Sequence, residues 1–283
     1  MKGPLAFLAK RYIAGPERAD AIRAALALNK SGIGAIIDNL GENVTNPAEA
    51  QESVKEYLSL LDDIRSTGAD STISMKLTHL GLDINKGLAS RNAETIIRKA
   101  SELENFVRLD MEGSAYTQAT IDIFLDLRKK YPNVGIALQS SLLRSRKDSR
   151  LITSHGGSIR LVKGAYKEPA SIAFQHKSDV DANFESMMKT LLLTKTRPAI
   201  ATHDAKLIKE AKKFASEKNL SKDSFDFEML LGIKRALQRE LAKEGFHVRV
   251  YIPYGRNWLP YTIRRLSERK ENIWFVLKSL FER

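Results

Sequence analysis

The chain has 283 residues, 43% hydrophobic and 28% charged, a balance that supplies a sizeable core and marks a globular protein. It contains no cysteine, which removes disulfides, thiolate nucleophiles and cysteine metal sites from consideration. A net charge of +12 suits nucleic acid, an anionic membrane surface or anionic ligands, but much of the excess lies in polar helical stretches such as "KLIKEAKKFASEK", and no basic run interleaved with aromatics selects a single-stranded nucleic acid.

The N-terminal "MKGPLAFLAKRYIAG" carries too short an apolar stretch for a signal peptide, and no run reaches the roughly 18 apolar residues of a membrane span, so the reading is a soluble, cytoplasmic protein. "PERADAIRAALALNK" reads as one amphipathic helix, making residues 1–31 a short helical lead-in. Eight β-branched or apolar runs bounded by turn residues then follow in order: Gly32 to Asp38, Thr72 to Thr78, Phe106 to Met111, Val134 to Gln139, Ser158 to Gly164, Ala199 to Asp204, Phe225 to Leu230 and His247 to Pro253. A segment of helical periodicity follows each run. Alternating strand and helix argues for a parallel sheet, and eight units over about 250 residues match a closed (β/α)8 barrel. An open doubly wound sheet is the alternative; neither G-x-G-x-x-G nor G-x-x-x-x-G-K-[ST] is present to support it. No linker or repeat divides the chain, so residues 1–283 read as one barrel domain.

Strand side chains alternate faces, and one face is unusually charged. It carries Ser74, Lys76 and Thr78; Arg108, Asp110 and Glu112; Ser158, Arg160 and Val162; Asp226, Glu228 and Leu230; and His247, Arg249 and Tyr251. Burying one unpaired charge costs several kcal/mol, so the pattern requires mutual pairing or a ligand that completes it. Arg108 and Arg249 read as a structural network with carboxylates such as Glu228. Lys76, Asp110, Arg160 and Tyr251 lie toward strand C-terminal ends, where barrel enzymes build their sites. His203 also ends a strand, and is readable either as a core histidine or as a site residue. His79 and His155 lack ligand partners at useful spacing, so no metal is expected.

The last signal is "YIPYGRNWLPYTIRRLSER", Tyr251 to Arg269, which places Arg264 and Arg265 early in a helix. Cations are repelled by a helix N-terminus, so an anion held among them is expected to offset the repulsion; a surface cluster with Glu268 and Glu271 is the alternative. Tyr261, Arg264, Arg265 and Glu268 share one broad helix face.

"SMKLT", "RLD", "LQS", "RLVKGAY", "ATHD", "FEMLLG" and "YIPYGRNWLPYTIRRLSE" resemble, in order and spacing, the motifs of the proline dehydrogenase family, from "DNLGE" near Asp38 to the end. The resemblance implies a distorted (βα)8 barrel, an FAD cofactor, and oxidation of L-proline to Δ1-pyrroline-5-carboxylate by hydride transfer to flavin N5. It implies that Arg264 and Arg265 clamp the substrate carboxylate with Lys76 as a third cation. Tyr251, Tyr261 and Leu230 then surround the pyrrolidine ring, with Asp110 and Tyr166 beside them. Arg160 approaches flavin N5 and Gln139 the isoalloxazine. Val162, Lys163, Gly164 and Ala165 run along the cofactor, Thr202 and His203 belong to its cradle, and Glu268 lies on the FAD side. Glu42 pairs with Arg264 and closes the site. The implied partners are L-proline, a membrane quinone as electron acceptor, peripheral contact with the membrane surface, and a separate pyrroline-5-carboxylate dehydrogenase downstream, since no second catalytic region follows Arg283; no nucleic acid is implied. Lys167 stands where relatives often carry an aromatic residue. Two rivals come from the residues themselves: a Schiff-base aldolase barrel using Lys76, and a polyanion binder using the net charge.

Overall fold

The computed structural model describes residues 11–267, with side chains through Ile263. Helix α1 (Arg18–Asn29) opens the regular structure, its first turn closed by the Asp20 carboxylate accepting the Glu17 N–H at 3.0 Å. Then β1 (Gly34–Asn39), α2 (Pro47–Thr67), β2 (Ser71–Met75), α3 (Lys86–Glu102), β3 (Val107–Leu109), α4 (Ser114–Arg128), β4 (Val134–Gln139) and α5 (Ser145–Ser154) alternate in order. The alternation continues through β5 (Ser158–Val162), α6 (Lys177–Leu192), β6 (Ala199–Ala201), α7 (Ala205–Glu217), β7 (Asp226–Leu230), α8 (Arg235–Lys243), β8 (His247–Tyr254) and α9 (Trp258–Ser267). Helix starts are written locally: Asn46 accepts the Ala48 N–H with Pro47 in the first turn, and Asp204 accepts the Lys206 N–H.

All neighbouring strands pair in parallel, and β1 pairs with β8, closing an eight-stranded (β/α)8 barrel. Strand alternation divides the side chains as the pleat requires. Ile37, Ile73, Met75, Leu109, Ile136, Leu161, Phe227 and Val250 are buried in the main apolar core with helix residues such as Tyr57, Leu61, Ile97, Phe124 and Met188. Several strands are shorter than the runs that announced them: β2 ends at Met75 and β3 at Leu109, leaving Lys76 and Asp110 just beyond the ladder at the C-terminal mouth.

Two arginines stand low in the barrel, each opposite a strand glycine. A Cβ at Gly135 would meet the Arg108 guanidinium at 2.8 Å, and one at Gly34 would meet that of Arg249 at 2.7 Å. Arg108 faces Glu228 at 3.8 Å, as expected. Arg249 does not join Glu228. It stands beside Glu228 in the β7–β8 register, but its guanidinium turns the other way, past Gly34, to Asp70 at 2.9 Å and to the Ala35 carbonyl at 3.3 Å. Asp226 and His247 likewise belong to the floor, paired with Arg197 at 3.1 Å and Asp223 at 3.0 Å.

The chain before α1 does more than lead in. Tyr12 and Ile13 pack with Leu40, Ile233 and Tyr261 into a second apolar cluster, and the Ala14 N–H donates to the Pro253 carbonyl at 2.9 Å. This segment and α9 therefore meet at the mouth of the barrel. Among the described residues no helix is long and apolar enough to cross a membrane.

The position of α9 corrects one expectation. The arginine pair was read as opening a helix, but the helix begins at Trp258, so Arg264 and Arg265 stand two turns inside it. Pro260 falls in the first turn, where a missing N–H leaves nothing unpaired, so the helix starts before the proline. The macrodipole falls off within a turn, so repulsion at the helix end is not what an anion there must offset.

Candidate active site

A cavity of about 460 Å³ opens at the C-terminal mouth, within the range of small-molecule sites. Lys76, Asp110, Leu230 and Tyr251 line it from β2, β3, β7 and β8, with Tyr261 from α9. Gln139 lines it from β4 and Arg160 and Val162 from β5, followed by Lys163, Gly164, Ala165 and Tyr166 of the β5–α6 connection. Thr202 and His203 complete it after β6. Glu42 lies on the β1–α2 connection, half-buried and outside this lining. The side chains of Arg264 and Arg265, and the whole of Glu268, lie outside the described residues.

A buried ionic network forms the cavity floor. Lys76 Nζ donates to Asp38 Oδ2 at 2.8 Å and stands 3.6 Å from Asp110. Asp110 accepts from Arg160 Nη1, from Ser74 Oγ and from the Tyr251 hydroxyl, each at 2.6 Å. Arg160 also donates through Nε to Glu228, which faces Arg108, and its guanidinium lies 5.4 Å from the Tyr251 ring centroid. Lys76, Arg108 and Arg160 thus stand against Asp38, Asp110 and Glu228 in a balanced set. The lower and upper charges form one connected network, since Arg160 and Glu228 join both layers.

Electrostatic shifts follow from this crowding. Burial is the largest influence on Lys76 and alone would depress it, but Asp38 and Asp110 outweigh burial and hold the ammonium above the ordinary lysine range. Burial likewise pushes Asp110 up, and Lys76 and Arg160, with hydrogen bonds from Ser74 and Tyr251, bring it below the usual carboxylate range. For Asp38, burial prevails and the pKa is raised despite Lys76. Arg108, buried beside Arg160, is lowered to about 10 by burial first and by that neighbour second, against the pull of Glu228.

Asp38 was missed in the sequence, although the signal was there. In "GAIIDN" Gly34, Ile36 and Asp38 alternate with Ala35 and Ile37, so the rule applied to the later strands points Asp38 inward. Beside the floor, Glu112 accepts from the Thr78 hydroxyl at 2.5 Å and the Thr78 N–H at 3.1 Å, while its own carbonyl accepts from Gln139 Nε2 at 2.9 Å. One residue thus joins the turn after Lys76 to a cavity amide. On the other wall, Lys163 bridges Asp181 at 2.5 Å and Asp204 at 2.9 Å, and His203 Nε2 accepts the Leu230 N–H at 2.8 Å.

Burial raises Glu112 from 4.5 to about 7, the hydrogen bonds from Thr78 opposing it. Between these values the folded chain keeps a proton that the unfolded chain has released, so stability falls as pH rises. This contribution is complete below about pH 4 and is lost by pH 8, at roughly 3 kcal/mol for a shift of this size. Glu112→Gln should flatten that slope. Urea midpoints at pH 5.5 and 8.5 test it: parallel behaviour of the variant and the parent would rule the titration out.

Comparison with known proteins follows the same outline. The sequence profile of a family described as proline dehydrogenase matches residues 21–278. "Proline dehydrogenase 2" of Bacillus subtilis (strain 168) is 40% identical over 272 residues, covering 96% of this chain and 90% of that protein. A "Proline dehydrogenase" of Deinococcus radiodurans is 38% identical over 280 residues, covering 97% and 90%. Among solved structures, proline utilization A of Bdellovibrio bacteriovorus inactivated by N-propargylglycine superposes with a TM-score of 0.87 at 24% identity, covering 94% of this chain. A Bradyrhizobium japonicum proline utilization A mutant, D779W, superposes at 0.75 with 23% identity, covering 92% of this chain. The chain spans 33% and 30% of those two structures' chains, and at this identity the likeness concerns the fold.

Proposed function

The chain belongs to the proline dehydrogenase family and is an oxidoreductase acting on proline in proline catabolism; from that premise we propose that its barrel mouth holds FAD and L-proline together. The product on this reading is Δ1-pyrroline-5-carboxylate and the electrons leave to a quinone. One observation carries the proposal: Lys76, Arg160, Tyr251 and the loop through Gly164, far apart in sequence, line one cavity at the strand C-terminal ends.

The residues present fit a flavin. Gly164 has φ of 114°, a backbone state that side chains rarely adopt, and a Cβ there would meet Ser141 Oγ at 2.3 Å. Val162 to Ala165 line the cavity, and at Gly164 the backbone runs too close to Ser141 and the Gln139 amide to leave room for a side chain. Lys163, Thr202 and His203 extend that lining, and Glu268 is assigned to the same side. FAD supplies the hydride acceptor when bound. Gly164→Ala is expected to weaken FAD retention about tenfold, since a strained residue of this kind costs on the order of 1–3 kcal/mol; the ratio of flavin to protein absorbance after gel filtration measures it.

The chain's own groups orient proline and stabilise charge. Lys76 adds a fixed cation for the substrate carboxylate, completed by Arg264 and Arg265. The floor is already balanced, so the carboxylate needs cations from outside it, which is the task of the arginine pair. Tyr251, Tyr261, Leu230 and Tyr166 present surfaces to the ring, and Asp110 fixes Tyr251. Tyr261 crowds C4, favouring proline over 4-hydroxyproline. Arg160, held by two carboxylates, stabilises negative charge developing on the acceptor without having to move. Glu42 closes over the site toward Arg264. We assign catalysis to the barrel as a single unit; the basic surface favours a peripheral encounter with anionic membrane, where the quinone resides. The product passes to a separate dehydrogenase.

The aldolase reading fits less well. A Schiff-base lysine needs a depressed pKa, whereas Lys76 is held protonated by two carboxylates. The test is direct: the purified protein should be yellow, and L-proline should bleach the flavin band under anaerobic conditions. A colourless protein trapped by borohydride with a carbonyl compound would overturn the proposal.

A further inference from the structure

We propose that Asp38 is a positioning residue for proline binding, fixing the Lys76 ammonium where it can meet the substrate carboxylate. The proposal rests on the reading of Lys76 as a carboxylate-binding group. Lysine has a flexible four-carbon stem, and its charge is compact and strongly hydrated. Lys76 is only 7% exposed, so water neither holds nor solvates it adequately. Something in the protein has to do both.

Two carboxylates are within reach, and they are not equivalent. Asp110 is 3.6 Å away and its oxygens are already engaged by Arg160, Ser74 and Tyr251. Asp38 stands 2.8 Å from Nζ and is completely buried. It is also rigidly mounted, since β1 is hydrogen-bonded on both sides and Asp38 is level with Ser74 of β2 and Pro253 of β8. The Tyr57 hydroxyl of α2 donates to its second oxygen at 3.3 Å and to the Ser74 carbonyl at 3.1 Å. Asp38 is therefore fixed from β1 and α2, and Lys76 is aimed from it.

The other charged or titratable groups around Lys76 do not replace it. Glu112 acts on Lys76 less than Asp38 or Asp110 does and is bound to Thr78. His79, on the turn after β2, is buried and lowered to about 4 by burial and by Lys76 itself, so it stays neutral. Arg160 acts on Asp110, and Tyr251, which donates to Asp110, also bears on Asp38 and helps keep it ionised rather than replacing it. Without the Asp38 charge, burial opposes an ammonium left with the more distant Asp110 and Glu112, and on this proposal Lys76 releases its proton within the measurable range.

The experiment uses the full-length FAD-loaded enzyme and tetrahydrofuran-2-carboxylate, a proline-shaped acid whose ring atom does not titrate. Its dissociation constant is measured between pH 7 and 9.5 by competitive inhibition and by thermal shift. The parent should change less than threefold across this range, whereas Asp38→Asn should weaken tenfold or more at the alkaline end. Lys76→Met should bind weakly at every pH. In the Lys76→Met background, adding Asp38→Asn should change binding less than twofold, a comparison that remains open even if Asp38→Asn alone does not fold. A pH profile of Asp38→Asn parallel to the parent overturns the proposal, as does a large effect of Asp38→Asn when Lys76 is absent. Lys76→Met binding as tightly as the parent instead overturns the role of Lys76 on which the proposal rests.

Discussion

Arg160→Met is expected to lose both stability and activity, and the two losses should come apart. Arg160 is 4% exposed and donates to Glu228, Asp110 and Ser74. Methionine fills much of the same volume but leaves buried Glu228 and largely buried Asp110 short of a cation. Glu228 keeps Arg108 at 3.8 Å, and Asp110 keeps Lys76 at 3.6 Å, so neither is wholly abandoned. Breaking a buried pair from one side costs about 3–5 kcal/mol, because an uncompensated charge is left behind. For a chain of this size that lowers the melting temperature by roughly 6–20 °C. Arg160→Met/Glu228→Gln should recover part of it, since the stranded carboxylate goes with its partner, although Arg108 then loses Glu228. Activity should not return. If Arg160 stabilises charge on the acceptor, both variants stay about 10²–10³-fold down in kcat, the usual cost of removing one preorganised donor. Calorimetry and steady-state rates on the two variants check this. A double variant regaining both stability and rate would make Arg160 purely structural.

The barrel was legible because its signals are local. Val134 to Gln139 is bounded as strongly in sequence as in space, and the turn residues around it leave no other reading. Strand ends were less legible: "TISMKLT" continues to alternate after Met75, while the ladder stops where β3 no longer offers a partner. The charged inner face could be read from alternation, but not who pairs with whom. Arg249 and Glu228 have suitable charges and are even register partners on adjacent strands, yet Glu228 is met by Arg160 and Arg108 while Arg249 turns to Asp70. Which of several nearby charges a long side chain reaches depends on its rotamer and on the other strands, which one strand's sequence does not contain. The mouth was harder still. The packing of Tyr12 and Ile13 against Tyr261 joins segments at opposite ends of the chain, and no periodicity announces a contact of that kind.

Arg265→Met is expected to be the most damaging substitution for substrate binding, raising the proline KM about 10²–10³-fold while leaving the flavin spectrum unchanged. The argument is one of charge. Asp38, Asp110 and Glu228 already offset Lys76, Arg108 and Arg160, so a carboxylate entering the cavity meets no net positive charge from the floor. It has to be neutralised from above. Tyr261 lines the cavity, and on a helix the positions three and four residues later share its face, which are Arg264 and Arg265. Truncating one partner of a desolvated charge pair costs on the order of 2–5 kcal/mol, or about 1.4 kcal/mol per tenfold in affinity. The pair stands two turns inside α9, so on the proposed clamp the effect is one of direct contact rather than of the helix dipole, and Arg265→Lys, which keeps the charge but not the planar fork, should recover affinity incompletely. Steady-state kinetics across proline concentrations, with a flavin spectrum of each variant, separates the outcomes. An unchanged KM in Arg265→Met would remove the carboxylate clamp from the mechanism while leaving the barrel and its ionic floor intact.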